Sequence, residues 1–277
     1  MQENMSDLPV RKKRHAWWQV LLAGLALYLA GLLILVLTGN PNLFPTVVLI
    51  GNFLFPVTFV AFFYQRRHHS RITVPLAALS FFYGGILGTF AAGIIESLII
   101  HRFDFRNAIL IGLIEEFAKI IGVILIARRQ REHLASDGLV LGAAAGMGFA
   151  AFESTGYTFV AFLASGGSLS ATVGVTMLRG LLSPLGHGTW TAILAGVLFH
   201  ENPRRGVHFD GAVIGAYLGV SALHSLWDGL PPFIAYVASS GVDVAVAQVL
   251  IGAVGLVVLS VMWRRAVRDQ PPDQSLQ

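Results

Sequence analysis

The sequence predicts an all-α, polytopic transmembrane bundle of about eight spans, with both termini in the cytoplasm. Three observations carry that prediction: a shortage of charge, apolar residues gathered into runs of about 20, and arginines concentrated in alternate connections. The 277 residues are 55% hydrophobic and 12% charged, where soluble domains carry roughly 25% charged residues. Mean hydropathy is +0.69.

The runs cover residues 17–37, 43–64, 74–100, 107–127, 138–164, 171–199, 211–237 and 245–263. The first follows Arg11-Lys12-Lys13-Arg14, the order of a signal peptide, but the run from Trp17 to Leu37 offers no small-residue cleavage site. It reads as a retained span. Arg11–Arg14, then Arg66, Arg67 and Arg71, then Arg128, Arg129 and Arg131, then Arg204 and Arg205, then Arg264, Arg265 and Arg268 fall in alternate segments. The intervening segments hold only Arg102 and Arg106. Cytoplasmic loops show this asymmetry, and an error of one span would scramble it. The expected organisation is a basic cytoplasmic segment at 1–16, a transmembrane domain at 17–263 and a cytoplasmic tail at 264–277, polar from Asp269 and disordered.

The connections are too short to hold a soluble domain, so function lies within the membrane or at its faces. No inverted repeat of the transporter kind is visible. The net charge of +4 does not point to nucleic acid, because the basic residues sit where loop anchors sit. The bilayer is the expected partner. The absence of cysteine excludes disulfides, zinc–thiolate sites and a lipid-modified cysteine. Gly84, Gly85 and Gly88 in the third run and Gly142, Gly146 and Gly148 in the fifth read as close helix packing; the alternative is room for a substrate helix.

A charge near the bilayer centre costs at least about 2.5–3.5 kcal/mol on insertion scales. Such residues need partners or a purpose. They are Glu115, Glu116 and Lys119 in the fourth run, Glu153 in the fifth, Arg179 and His187 in the sixth, and His224 and Asp228 in the seventh. Glu96 stands near the outer end of its run beside Arg102, where an interfacial position explains it. Lys119 is one turn beyond both glutamates of the pair. It compensates one of them, so the other stays protonated or finds a distant cation, for which Arg179 is the candidate. His224 and Asp228 at i, i+4 share a helix face, so the aspartate can orient the imidazole or both can hold one metal. Pro231-Pro232 just beyond predicts a bend or break there. Pro184, three residues before His187, predicts a kink that opens backbone toward a cavity. Glu153 has no cation near it in sequence.

Two mechanisms fit this inventory. In one, His187, His224 and a carboxylate (Glu153 or Asp228) hold a divalent metal such as zinc, and Glu115 or Glu116 takes a proton from water. In the other no metal is used: one glutamate of the pair activates water toward a peptide carbonyl, with the histidines and Arg179 stabilising the oxyanion. No Gly-x-Ser-x-Gly, His-Glu-x-x-His or paired aspartyl motif occurs.

Glu115-Glu116-x-x-Lys119, then Phe149-x-x-x-Glu153, then His224-x-x-x-Asp228, on separate runs and in that order, resemble the three-motif pattern of PrsW-type intramembrane proteases; His187 ahead of the third motif matches as well. The related CAAX prenyl-protease pattern has histidine where this chain has Glu153. The resemblance implies a protease of the bacterial cytoplasmic membrane that cleaves a membrane-anchored protein, anti-sigma factors being the usual example. It implies a metallopeptidase by common classification. A proton-coupled transporter is the first competing reading, since Glu, His and Asp chains also relay protons. A non-catalytic scaffold or immunity-type protein that keeps the polar cluster for structure is the second.

Overall fold

Each apolar run is helical in a computed structural model of the chain. It describes residues 16–66, 70–101, 104–128, 130, 132–204, 206–238 and 241–268, and the backbone alone at 232–238, 241–243 and 245. The basic segment Arg11–Arg14, Arg67, Arg102, Arg129, Arg131, Arg205 and the tail from Asp269 lie outside the described residues.

The helices are α1 (Ala16–Thr38), α2 (Phe44–Gln65), α3 (Val74–Ile99), α4 (Phe105–Ala127), α5 (Ala135–Ala164), α6 (Leu169–Leu182), α7 (His187–Glu201), α8 (Gly211–Ala238) and α9 (Gly241–Arg268). Among the described residues, six stretches are long and apolar enough to cross a membrane: Ala16–Thr38, Pro41–Gln65, Val74–Ile99, Ala135–Ala164, Leu169–Glu201 and Val246–Arg268. They do not include α4 and α8, the helices that carry Glu115, Glu116, Lys119, His224 and Asp228.

Side-chain caps start the helices where the chain turns. Asp104 accepts from the Asn107 N–H at 2.8 Å, Ser168 from Ala171 at 3.3 Å and Asp210 from Val213 at 2.9 Å, each satisfying a donor that a first turn leaves open. Asp137, buried near the start of α5, accepts from the Ser70 hydroxyl at 2.7 Å and the Arg71 N–H at 2.8 Å. It fastens the α2–α3 connection to α5.

Two antiparallel pairs form the centre. In the α5–α7 pair, Gly138, Gly142 and Gly146 lie one turn apart and face the carbonyls of Ala195, Thr191 and His187. A Cβ on Gly146 would come within 2.2 Å of the His187 oxygen. Only a missing side chain lets the backbones approach this closely. The glycines of the fifth run are therefore packing residues. In the α4–α8 pair, Gly112 abuts Ser221 and Ser225, and the Tyr217 hydroxyl donates to the Leu113 carbonyl at 2.8 Å. A wide, π-type turn at Ser80–Gly84 fits α3 against α5, with Ser80 donating to the Leu141 carbonyl at 2.8 Å.

The sixth run is two helices. A tight turn at Ser183–Leu185 and then Gly186 separate α6 from α7, so His187 is the first residue of a new helix. That is the opening expected from Pro184. At Pro231-Pro232 the prediction of a break fails: α8 runs through to Ala238. Each proline removes one N–H, but the remaining turns keep theirs, and transmembrane helices tolerate such a loss where neighbours support them.

Candidate functional site

The two central pairs bring the intramembrane ionisable residues together. Glu115, Glu116 and Lys119 come from α4, Glu153 from α5, His187 from the start of α7, and His224 and Asp228 from α8. Glu116, Lys119 and His224 are at most 1% exposed.

Lys119 Nζ is the hub. It lies 3.0 Å from Glu115 Oε2, 2.9 Å from Glu116 Oε1 and 2.7 Å from His187 Nδ1. An ammonium has three N–H donors, and all three find an acceptor. The face of the Phe149 ring closes the fourth side, 4.0 Å from the nitrogen, in a cation–π contact. Since an ammonium only donates, His187 Nδ1 accepts, and the ring proton sits on Nε2, which donates to Glu153 Oε2 at 3.1 Å. His224 has carboxylates at both nitrogens. Nδ1 is 3.0 Å from Glu116 Oε1, while Nε2 is 3.3 Å from Asp228 Oδ2 and 3.5 Å from Glu115 Oε2.

Two expectations about charge pairing are corrected here. Lys119 touches both glutamates of the pair, because the i+3 and i+4 positions flank it equally, and His224 meets them from the opposite helix. Arg179 goes elsewhere: its Nη2 lies 2.6 Å from Glu153 Oε2 and its Nε donates to Ser154 at 3.0 Å. Glu153, without a cation in its own helix, receives one from α6. The Arg179 guanidinium also rests 4.0 Å above the Tyr157 ring. Glu96 has one carboxylate oxygen buried without a protein partner.

Thr191, Trp190 and Phe149 were not singled out as site residues by charge. Thr191 donates to Glu116 Oε2 at 3.3 Å. Trp190, fully buried, packs against both imidazoles, with ring centres 5.6 Å from His187 and 4.9 Å from His224. Helical spacing held the signal for two of them, since Thr191 is one turn after His187 and Phe149 one turn before Glu153.

Glu115, His187 and His224 each offer a ligand atom, and these atoms lie within 4.8 Å of one another. The set differs from the sequence-derived grouping in containing Glu115, with Glu153 and Asp228 each touching one imidazole instead. It fits a divalent ion on two grounds. Two imidazoles and a carboxylate match the donor set of catalytic zinc sites that keep a position open. Each imidazole also gives its other nitrogen to a carboxylate, Glu153 for His187 and Glu116 for His224, the arrangement that orients metal-binding histidines. The Lys119 ammonium lies on Glu115 Oε2 and His187 Nδ1, two of the atoms such an ion would use, so it must withdraw for a metal to bind there.

A cavity of about 130 Å³ reaches His187 from the side of the α6–α7 break, lined by Ser154, Arg179, Ser183, Gly186, Trp227 and Gln248.

A family model described as PrsW family intramembrane metalloprotease matches residues 73–262, more than two thirds of the chain. No curated protein and no solved structure matches.

Proposed function

The chain belongs to the PrsW family of intramembrane metalloproteases, and on that premise we propose that the cluster joining α4, α5, α7 and α8 is its peptidase site. A multi-pass membrane protease of this family acts on a membrane protein substrate. The finer reading is cleavage of a membrane-anchored protein of the anti-sigma-factor kind in a bacterial cytoplasmic membrane, which rests on the family pattern.

One observation carries the assignment of residues: six of the eight charged or histidine side chains singled out by hydropathy touch one another in an unbroken chain through Lys119 and His224. The two others, Glu153 and Arg179, extend that chain through His187. Glu115, His187 and His224 would hold a divalent metal, with Glu116 and Glu153 orienting the imidazoles. Bound there, it would supply Lewis acidity toward water and the peptide carbonyl. Asp228 Oδ2, beside His224 Nε2 and less buried than the Glu115 and Glu116 carboxylates, takes the proton from the attacking water and returns it to the leaving amine. Lys119, its three donors on Glu115, Glu116 and His187, offsets the surrounding carboxylates, and Arg179, which lines the cavity beside His187, faces the charge that develops on the carbonyl oxygen. The peptide approaches through the cavity at the α6–α7 break, where interrupted helix leaves backbone groups for an unwound segment to pair with.

Lys119 also favours a second reading. Its ammonium occupies the place of a cation among Glu115, Glu116 and His187, so a glutamate could act as the base without metal. Cleavage of a reconstituted single-span substrate, measured with metal content and chelator sensitivity, separates the two. The metal reading expects stoichiometric metal, loss of cleavage on chelation, and loss in Glu115→Ala, His187→Ala and His224→Ala proteins that still fold. Full cleavage by all three variants sinks the site assignment. Full cleavage by a metal-free protein leaves the glutamate mechanism.

A further inference from the structure

We propose that the arginine-rich end of the bundle, remote from the peptidase cluster, binds an anionic phospholipid by its phosphate in a groove between α5, α7 and α9. This does not rest on the catalytic reading. The groove is a cavity of about 680 Å³. Its lining changes character along the helices. Leu139 on α5, Val197 on α7 and Met262 on α9 line the part nearer the membrane centre, whereas His133, His200 and Arg265 line the part nearer the helix ends. An apolar channel capped by an arginine and two imidazoles matches an acyl chain below a phosphate, and basic pockets between helices at a cytoplasmic face are where lipid headgroups bind.

His133 shows that the polar end is built. It is 6% exposed, its ring stacks on Phe199 with centres 4.5 Å apart, and its Nδ1 lies 3.0 Å from the Asn202 carbonyl oxygen. A carbonyl only accepts, so Nδ1 carries the hydrogen and the ring is fixed in orientation. Nε2 then keeps its lone pair and is an acceptor buried with no protein partner, although buried polar atoms normally have one; it suits a hydroxyl donor such as that of a phosphatidylglycerol headgroup, beside a phosphate met by Arg265. His133 borders both this groove and an adjoining cavity of about 270 Å³ that Arg128 and Asn202 also line. The backbone around it is braced, because the His133 N–H donates to the Pro203 carbonyl at 2.9 Å. Of the charged side chains lining the two cavities, Arg128 and Arg265 are cationic and Glu201 is acidic. The shared chemistry is a phosphate group; the apolar lining between Leu139 and Met262 selects the lipid over the free ion.

Thermal unfolding of the full chain tests this in detergent with added phosphatidylglycerol, phosphatidylcholine or inorganic phosphate. Phosphatidylglycerol should raise Tm by roughly 5 °C, and the other two should not. His133→Phe, which keeps the stacked ring and loses the nitrogens, and Arg265→Gln should each at least halve that shift. Arg268→Gln, outside the groove at the same helix end, should leave it intact. Equal stabilisation by phosphatidylcholine, or an undiminished shift in Arg265→Gln, overturns the site. So does an Arg268→Gln loss as large as that of Arg265→Gln, which marks general surface charge. Stabilisation by inorganic phosphate alone overturns the lipid assignment. Arg265 is exposed, so its variant decides the matter even if His133→Phe fails to fold.

Discussion

Helices α1 and α5 are built on opposite rules. The α1 window is the most apolar of the six candidate spans, yet 6% of it is buried within the protein; the α5 window is far less apolar and 89% of it is buried. In water the ranking would be reversed, since apolar residues go inside. Lipid tails are as apolar as leucine, so hydrophobicity does not drive one helix onto another in a membrane. What selects the interior of this protein is small size and polar complementarity. α5 enters the centre because glycine and alanine let α3 and α7 approach it, and α1 stays outside because its leucines meet lipid equally well. The cluster of ionisable residues joined by Lys119 and His224 sits on the interior side of that division.

The largest effect expected from this division is at Lys119. Lys119→Met leaves Glu115, Glu116 and His187 Nδ1 without their common donor, a broken buried ion cluster worth about 3–5 kcal/mol. Unfolding in mild detergent should show that loss, with cleavage abolished. A stable, active Lys119→Met protein would remove the hub from the description of the site. Gly146→Ala comes next. Its added methyl meets the His187 carbonyl at 2.2 Å, and forced overpacking costs about 1–3 kcal/mol. The same change shifts the first residue of α7, and displacement of a reacting group by about 1 Å can cost 10²-fold in rate. Cleavage should therefore fall further than stability alone accounts for, and an unchanged rate would show that α7 can move without moving His187.

The α1–α5 contrast also marks what the sequence made legible. Apolar runs fixed the helices to within a few residues, because span length is set by the bilayer and not by the neighbours. Charges inside runs identified the cluster for the converse reason: lipid makes them costly unless they meet. Partner choice was not legible. Arg179 pairs with Glu153 and not with the Glu115–Glu116 pair, a matter of how α6 crosses α5 that no spacing encodes. Pro231-Pro232 read as a bend or break, and that no break occurs has a similar reason, since neighbours in space decide whether a helix survives a lost N–H. Thr191 and Phe149 escaped because neither carries charge; their helical distance from His187 and Glu153 was the available sign.

Between the two extremes lies Asn52 on α2. Its side-chain amide donates to Thr158 Oγ1 at 3.2 Å, and Thr158 meets Thr176 at 3.3 Å, so three helices share one polar seam. Asn52→Leu should cost about 0.6–1.7 kcal/mol, the range of such bonds in membranes, without a change in metal content. Leu29→Ala on the lipid face of α1 should stay within about ±0.5 kcal/mol in the same unfolding assay. A Leu29→Ala effect as large as that of Asn52→Leu would mean that α1 is covered by another chain.

The smallest effect belongs to the solvent side of the bundle. Arg71 and Glu132 form an ion pair with both side chains about 60% exposed. The hydrogen bond and charge of Arg71 hold the Glu132 carboxyl below its ordinary range. A depressed carboxylate contributes stability that is present above its unfolded value and lost as pH falls through the folded one, so the pair helps at neutral pH and fades only in acid. Water and salt screen it throughout. Glu132→Gln should move Tm by no more than about 1 °C at neutral pH, with the difference vanishing in high salt. A larger, salt-resistant shift would place this pair with the buried cluster and not with the surface, and the division between interior and exterior would then have to be redrawn at the Asp137 fastening, one connection away.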